Sequence, residues 1–325
     1  MEMRAVRVDE FGGPEVLVTR ELPDPEPGPG EVLVEVGAAN VIYLDTLIRS
    51  GAAQGHFPQA PPYVPGGSVV GRVASVGPGA DPAWTGAPVL TRTDDGGYAD
   101  RVTVPAEGLL RVPEELRPLD ALALMVDGAT AMMLERAARF TPDTWVLVLA
   151  ATGGAGSLVV QLAGLAGARV VGAARGAEKL ELARSLGAEE VVDYSRPDWL
   201  DRVRRITGGA GASVVVDGAG GELGSASFGA VADGGRFLSY GTAGGSFAEV
   251  DTAEAERRGI TALGLNEMRA RPGTDRSDLT RLALEEARAG HLRPHVGLIL
   301  PLERAAEAHA ALEGRRVLGK VLLVP

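Results

Sequence analysis

Three glycines between two apolar runs are the residues of this chain whose types and spacing point most directly to chemistry. Gly153, Gly154 and Gly156 follow an apolar run at 146–150, and the residues after them are apolar at helical spacing until a second short apolar run at 169–173. Glycines between a strand and a helix let the backbone approach a pyrophosphate, whose charge is stabilised by free N–H groups and the positive end of the helix. The spacing predicts a strand-helix-strand unit that binds a dinucleotide, although the glycine pattern alone also suits an ordinary tight turn.

The end of the second strand of this unit carries a base. In NAD-preferring units, an Asp or Glu about twenty residues after the glycines holds the ribose 2′-hydroxyl. Here the corresponding position is Arg175, and Lys179 follows one helical turn later. Because a guanidinium and an ammonium suit a 2′-phosphate, the sequence predicts NADPH as the cofactor.

Composition and charge argue against several other classes of protein. The chain has 325 residues, a net charge of −11 and no cysteine. The negative charge disfavours a nucleic-acid partner, which needs a basic face. The lack of cysteine excludes disulfides, thiol nucleophiles and thiolate-based zinc sites, and Pro294 between His291 and His295 disfavours a metal site on one helical face. We expect no bound metal.

No stretch of the sequence has the pattern of a membrane or targeting segment. The longest apolar runs are broken by Gly, Arg or Asp well short of the roughly 20 residues that a membrane span needs. The segment MEMRAVRVDEFGG is an amphipathic strand without the apolar core of a signal peptide. We therefore expect a cytoplasmic protein with no membrane contact.

The hydrophobic period changes along the chain. The first third consists of short apolar or alternating runs separated by turn residues, which predicts a small β-barrel. From about Leu119 a helical pattern is followed by alternating strands and helices, which predicts a parallel, doubly wound sheet, and the last part returns to the mixed style of the start. We predict an α/β protein with a barrel domain at 1–117, a dinucleotide-binding domain at 118–262 and a return to the first domain at 263–325.

Several segments carry a resemblance that covers the whole chain: FGGPEVL, DTLIRSG, PYVPGG, GGYAD, AATGGAGS, GAEKLELARSLGAEEVVDY and LEGRRVLGKVLL. In this order and at these intervals, the chain resembles the medium-chain dehydrogenase/reductase superfamily, in particular its zinc-free, zeta-crystallin-like quinone oxidoreductase branch. The resemblance implies a GroES-like barrel that is interrupted by a Rossmann domain, with the cofactor in the cleft between them. It also implies hydride transfer from NADPH to a quinone or an α,β-unsaturated carbonyl.

The resemblance assigns cofactor-binding roles along the chain. The residues of the glycine-rich turn would hold the pyrophosphate: Gly153, Gly154, Ala155 and Gly156. Four residues would hold the 2′-phosphate: Arg175, Lys179, Tyr194 and Arg315. Three would border the nicotinamide: Thr130, Ala219 and Gly241. Taken singly, Lys179 and Tyr194 also suit ordinary surface positions, and Thr130 suits an ordinary helix.

The active-site side departs from the family pattern. Zinc-dependent relatives have a GHE sequence where this chain has Gly66, Gly67 and Ser68, so the oxygen of an acceptor must be polarised by hydrogen bonds or the acceptor must already be reactive. The Asn that usually lies three residues before the Asp of DTLIRSG is replaced by Ile42, and Asn40 lies two residues earlier.

We predict Tyr43, Asn40 and Thr130 as the catalytic residues. Tyr43 is the candidate replacement donor, although its apolar neighbours equally suit a core aromatic. For Asp45 and Arg49 we expect a structural ion pair that holds this loop.

Two functions stay open at this point. The first is an NADPH-dependent reductase of quinones or enones, with enoyl-thioester reduction as a variant. The second is an NADPH-binding protein with little turnover. The resemblance also implies a homodimer, formed by edge strands around residues 236–241 and 260–265.

Overall fold

The computed structural model describes residues 2–55 and 58–325, so His56 lies outside the described residues. The chain forms two compact units. The first comprises Met1–Val126 and His295–Pro325, and the second comprises Asp127–Pro294. A long helix, α2 (Pro118–Ala138), contains the position at which the chain passes from the first unit to the second.

The first unit is built mainly from strands. Its other elements are β1 (Glu2–Val8), β2 (Leu17–Pro23), β3 (Glu31–Val41), α1 (Tyr43–Ser50), β4 (Ser68–Val76), β5 (Pro88–Arg92), β6 (Arg101–Pro105), β7 (Leu110–Arg111), β14 (Val296–Pro301), α10 (Ala305–Glu313) and β15 (Lys320–Val324). Strands β1 and β2 form an antiparallel pair, and the others form a sheet in the order β14-β15-β3-β4-β5-β7, with β6 also paired to β3.

Alternating burial explains why the strands of the first unit form. Along β3, Val32, Val34 and Val36 are at most 5% exposed, whereas Glu35 between them points to solvent. A strand places successive side chains on opposite faces, so this alternation gives one apolar face. That face packs on other buried strand residues, including Val69 of β4 and Val321 of β15.

The second unit alternates strands and helices. Its elements after α2 are β8 (Trp145–Leu149), α3 (Gly154–Leu165), β9 (Arg169–Ala174), α4 (Ala177–Ser185), β10 (Glu190–Asp193), α5 (Trp199–Ile206), β11 (Ala212–Asp217), α6 (Gly221–Ser227), β12 (Val231–Ser239), α7 (Thr252–Arg257), β13 (Thr261–Gly264), α8 (Leu265–Arg269) and α9 (Arg276–Arg288). All six strands are parallel, in the order β10-β9-β8-β11-β12-β13.

This sheet is the doubly wound one that the sequence predicts. Its central strands are uninterrupted apolar runs: 146–149 of β8 are fully buried, and so are Val215 and Val216 of β11. Continuous burial suits a parallel sheet with helices on both faces. The strand order reverses between β8 and β11, and ligands of such sheets bind beyond the carboxyl ends of the strands at that reversal. The α/β fold class is therefore confirmed.

The unit boundaries lie elsewhere than at the predicted 117/118 and 262/263. The chain returns to the first unit at His295, because α8 and α9 pack within the second unit. The amide of Gln161 on α3 bonds both to Arg293 N–H at 2.9 Å and to Arg293 O at 3.1 Å, which fixes the segment after α9 to the parallel-sheet unit.

Helix α6 is short: it ends at Ser227, and β12 begins at Val231. The glycines of VADGG belong to an irregularity in the pairing of β11 and β12, where Gly234 has φ of 73°. In the described part of the chain, no helix combines the length and apolarity that crossing a membrane requires.

Candidate cofactor-binding and active site

The turn after β8 leaves backbone donors free at the start of α3. Gly153 precedes the helix and donates its own N–H to Ala150 O at 2.9 Å. The first donor inside the helix is Ser157, whose N–H lies 2.9 Å from Gly153 O. The N–H groups of Gly154, Ala155 and Gly156 therefore have no acceptor within the helix, and with the helix dipole they form an anion site.

The backbone requires glycine at Gly156, whereas at Gly154 the nearest atoms belong to the end of a side chain that can move. A Cβ atom at Gly156 would lie 2.3 Å from Ala150 O, and one at Gly154 would lie 2.1 Å from Asp127 Oδ2. At Gly153 the nearest atom to such a Cβ, again Ala150 O, would be 3.3 Å away. The turn thus fits the close backbone approach that a pyrophosphate needs. It also places the Asp127 carboxylate beside the first turn of α3.

The structure brings three of the predicted 2′-phosphate residues together at the ends of β9 and β10. Ala174 of β9 and Asp193 of β10 lie opposite each other in the parallel strand pair. Arg175 and Tyr194 are the first residues after these two strands. Tyr194 N–H donates to Ala174 O at 3.2 Å, and Lys179 lies in the first turn of α4, directly after β9. Arg175 is exposed, which leaves its guanidinium accessible to a ligand.

Ala219 and Gly241 lie in two loops that pack against each other. These loops follow β11 and β12, and a Cβ atom at Gly241 would lie 2.0 Å from Gly218 O. Gly244 N–H donates to Ala219 O at 2.7 Å. The loops therefore form one surface at the carboxyl ends of the two strands. Thr130 is half-buried on α2, and its contact with a cofactor stays a prediction.

Asp217 holds the loop after β11 and the end of β12, and the sequence analysis did not identify it. It is fully buried at the end of β11, and its Oδ1 accepts the N–H groups of Ala219 and Gly220, each at 2.9 Å. Its Oδ2 accepts the hydroxyl of Ser239 at 2.9 Å. Burial raises the pKa of this carboxyl, and the three donors oppose that rise. An acid that ends the buried run SVVVD was the available signal.

Arg315 belongs to the first unit, whereas the other three residues predicted for the 2′-phosphate belong to the second. It follows α10 with φ of 53°, a left-handed conformation that is uncommon for a residue with a side chain. Its contribution to cofactor binding stays a prediction.

In the first unit, Tyr43 begins α1 and is half-buried. The start of this helix is fixed by Asp45, whose Oδ2 accepts Ile42 N–H at 2.9 Å. Tyr98 O–H donates to the same oxygen at 3.2 Å. Burial raises the pKa of Asp45 to about 6, with the Ile42 and Tyr98 hydrogen bonds and the charge of Lys320 opposing that rise. The backbone position of Tyr43 thus depends on a buried carboxylate.

A buried imidazole completes this arrangement. Tyr98 O–H also lies 3.2 Å from His309 Nε2. Because the single proton of Tyr98 goes to Asp45, Nε2 must carry the proton and donate to the Tyr98 oxygen. Burial, followed by the nearby charge of Arg49, lowers the pKa of His309 to about 3, so the ring is neutral at pH 7. These groups form one network on the inner side of α1.

The expected ion pair between Asp45 and Arg49 is not the one that forms. Arg49 is 1% exposed and pairs with Glu313 of α10. Its Nε and Nη1 are buried without a hydrogen-bond partner among the described residues. Asp45 instead serves the amino end of its own helix. The two residues lie on the same helix but act on different neighbours, which their spacing could not reveal.

Asn40 uses its donors inside the first unit. Its Nδ2 donates to Ser68 Oγ and to Leu122 O, each at 3.0 Å, and the residue is 2% exposed. This geometry favours a structural role, so the proposed catalytic role of Asn40 is the less supported part of the predicted site.

The positions that match the GHE sequence are packed. A Cβ atom at Gly66 would lie 2.6 Å from the Tyr98 ring, and Ser68 is buried against Asn40. Within the described residues, no group of three or more His, Cys, Asp or Glu side chains could hold a metal ion.

Two family models match the chain. Residues 28–114 match the alcohol dehydrogenase GroES-like domain, and residues 186–323 match a family described as zinc-binding dehydrogenase. The first covers most strands of the first unit, and the second runs from the end of α4 to the last strand.

Known proteins are similar over nearly the whole length. A 2-haloacrylate reductase from a Burkholderia species is 34% identical over 338 aligned positions, which cover 100% of this chain and 99% of the relative. The crystal structure of an NAD-dependent alcohol dehydrogenase has 36% identity and a TM-score of 0.87, covering 99% of this chain and 100% of that one. The Escherichia coli quinone oxidoreductase complexed with NADPH has 28% identity and a TM-score of 0.89, with the same two coverages.

Proposed function

The chain belongs to the medium-chain dehydrogenase/reductase family and is an oxidoreductase, and from this membership we propose that it transfers a hydride from NADPH to a quinone or an α,β-unsaturated carbonyl without a metal. The observation that carries the proposal is the combination of the free donors at the start of α3 with the base Arg175 at the end of the next strand. The first suits a pyrophosphate and the second a 2′-phosphate.

The residues present fit this cofactor. Bound NADPH would supply the hydride from C4 of its nicotinamide. The N–H groups of the glycine-rich turn would neutralise the pyrophosphate, and Arg175 with Lys179 would hold the 2′-phosphate. The loop fixed by Asp217, with the loop after β12 that packs against it, would shape the surface beneath the nicotinamide. Tyr43 would hydrogen-bond to the acceptor oxygen through its hydroxyl and thereby favour the charge that develops there.

The proposed substrate class is supported by the sequence at the position of the family's zinc site. Alcohol oxidation in this family uses zinc as a Lewis acid, whereas the chain has no cysteine and has Gly66, Gly67 and Ser68 at the GHE position. An acceptor that is already electron-poor needs less polarisation. The similarity to a 2-haloacrylate reductase and to a quinone oxidoreductase supports such acceptors.

Titration calorimetry with NADPH and NADH tests the cofactor. We expect tighter binding of NADPH, because each charge-assisted hydrogen bond to the 2′-phosphate contributes about 1.5–3 kcal/mol. Arg175→Ala should weaken NADPH binding by about tenfold or more and leave NADH binding nearly unchanged. Equal affinity of the wild type for both nucleotides would overturn the assignment.

Turnover separates the two functions that the sequence leaves open. Oxidation of NADPH should be measured with quinones, enones, 2-haloacrylates and enoyl thioesters, using NADPH deuterated at C4. Deuterium in the product of one of these acceptors supports a reductase. Binding without any label transfer would favour an NADPH-binding protein instead.

We also propose a homodimer. Strand β13 is at the edge of the parallel sheet and pairs with β12 alone among the described strands. Unpaired edges tend to be covered, and a second copy of β13 would cover this one. Sedimentation should give a mass of twice 33.5 kDa. A monomer at micromolar concentration would contradict this.

A further inference from the structure

Three arginines of the second unit cluster without a carboxylate to balance them. The pKa of Arg236 on β12 is lowered by burial and by the positive charges of Arg139 and Arg271. Within residues 2–55 and 58–325, none of the three forms an ion pair. In a chain of net charge −11, such a local positive region is unusual.

Two of these arginines line a pocket of about 210 Å³. Its wall also contains the hydroxyls of Thr141, Thr144 and Ser213. The two threonine hydroxyls are 3.2 Å apart, and that of Thr144 donates to Thr141 O at 2.8 Å. The pocket lies where β8, β11 and β12 begin, which is the opposite end of the sheet from the glycine-rich turn. It is therefore separate from the proposed cofactor site.

The acidic residue in the described lining of this pocket is already engaged. Asp233 Oδ1 accepts Arg258 Nε at 2.7 Å. Its charge is thus compensated by a cation that is not among the lining residues. The net charge presented to the pocket stays positive.

The backbone of Arg139 has a left-handed conformation that residues with a side chain seldom adopt. It follows the last residue of α2 with φ of 52°, where helices usually place Gly or Asn. Left-handed backbone costs a residue with a side chain about 1 kcal/mol. Glycine would avoid this backbone strain, so the arginine at this position is better explained by a role of its guanidinium group.

We propose that this pocket binds a phosphate group, either free or carried on a small molecule. Guanidinium groups bind phosphate oxygens through pairs of parallel hydrogen bonds, and the Ser213 hydroxyl adds a further donor. A bound anion would remove the mutual repulsion of Arg139, Arg236 and Arg271. The proposal does not depend on which acceptor the enzyme reduces.

Titration of inorganic phosphate and glycerol phosphate tests the site. Arg175→Ala saturated with NADH should serve as the background, because free phosphate would otherwise enter the proposed 2′-phosphate site and the anion site at the start of α3. We expect one phosphate per chain, with affinity reduced at least tenfold by Arg236→Gln. Tighter binding of glycerol phosphate would identify an ester as the natural form, and equal or weaker binding would identify the free ion.

Arg139→Gly keeps the proposal falsifiable if Arg236→Gln unfolds. Glycine suits the backbone there, so this variant should keep or raise the unfolding midpoint while losing phosphate affinity. Arg205→Gln, at an exposed arginine of α5, is the matched control and should change neither.

Three results would overturn the proposal. The first is the absence of phosphate binding in the Arg175→Ala background. The second is binding that survives both Arg139→Gly and Arg236→Gln. The third is a change in sedimentation of these variants with phosphate binding intact, which would assign the arginines to contact with a second copy of the chain.

Discussion

Asp217 and Ser239 are the last residues of the adjacent parallel strands β11 and β12, and the buried hydroxyl of Ser239 donates to the Asp217 carboxylate at 2.9 Å. The same carboxylate accepts two backbone N–H groups from the loop after β11. One side chain therefore fixes the loop that carries Ala219 and the end of the strand from which the loop with Gly241 begins.

Replacing Asp217 should destabilise the protein and weaken cofactor binding together. Asp217→Ala leaves three buried donors without an acceptor, and each unsatisfied group costs about 1–3 kcal/mol, so we expect a loss of about 3 kcal/mol or more. Ser239→Ala removes a single donor and should cost about 1 kcal/mol. Urea unfolding and NADPH titration measure both effects. Similar losses for the two variants would show that the carboxylate does not hold the loop.

Two glycine substitutions in the turn after β8 should differ sharply. Gly156→Ala places a Cβ atom 2.3 Å from Ala150 O, so the turn must shift and both stability and NADPH affinity should fall. Gly153→Ala makes the same contact at 3.3 Å and should be tolerated far better. The readout is the dissociation constant of NADPH for each variant. Equal dissociation constants for the two variants would show that NADPH binding does not need the close backbone approach.

The stability of the first unit should depend on the protonation of Asp45. Its pKa is about 6 in the folded protein against an ordinary value of 3.8, so the folded state takes up a proton first as the pH falls. The contribution of Asp45 to the free energy of unfolding therefore rises on acidification, by about 1 kcal/mol between pH 7 and pH 5.

Comparison with Asp45→Asn isolates this contribution, because the variant cannot titrate at that position. The unfolding free energy of the wild type minus that of the variant should be larger at pH 5 than at pH 7. His309 is present in both proteins, so its own titration largely cancels. A difference that is independent of pH would show that Asp45 ionises normally.

Metal removal should leave activity intact. Elemental analysis of the purified protein should find no stoichiometric zinc, because the sequence offers neither thiolates nor the His and Glu of the GHE position. Treatment with a chelator should not change the rate of NADPH oxidation. One zinc per chain, with activity lost on chelation, would return alcohol oxidation to consideration.

Local patterns in the sequence predicted much of the fold. The apolar run of β8, the glycines after it and the helical spacing of α3 are adjacent in the chain, so their period and turn chemistry were visible. The same holds for α2, predicted from about Leu119 and found over Pro118–Ala138. The family resemblance grouped Arg175 with Tyr194, and the parallel pairing of β9 with β10 explains why both lie at one edge of the sheet.

Contacts between distant parts of the chain could not be predicted. Arg49 pairs with Glu313, which is 264 residues away, and no local pattern distinguishes that partner from the nearby Asp45. Likewise, only the packing of α9 in the second unit shows that the chain returns at His295. The arginine cluster was invisible for the same reason, since Arg139, Arg236 and Arg271 are far apart in the sequence.

The position of β15 has a consequence for the order of folding during synthesis. It lies between β14 and β3, and its Val321 pairs with Val41, which comes near the start of the sequence. The second unit is continuous, so all of its strands have emerged from the ribosome before the chain reaches β15. The sheet of the first unit must wait with an unpaired edge until that strand arrives. Nascent chains should therefore acquire protease-resistant structure in the later part of the sequence before the earlier part.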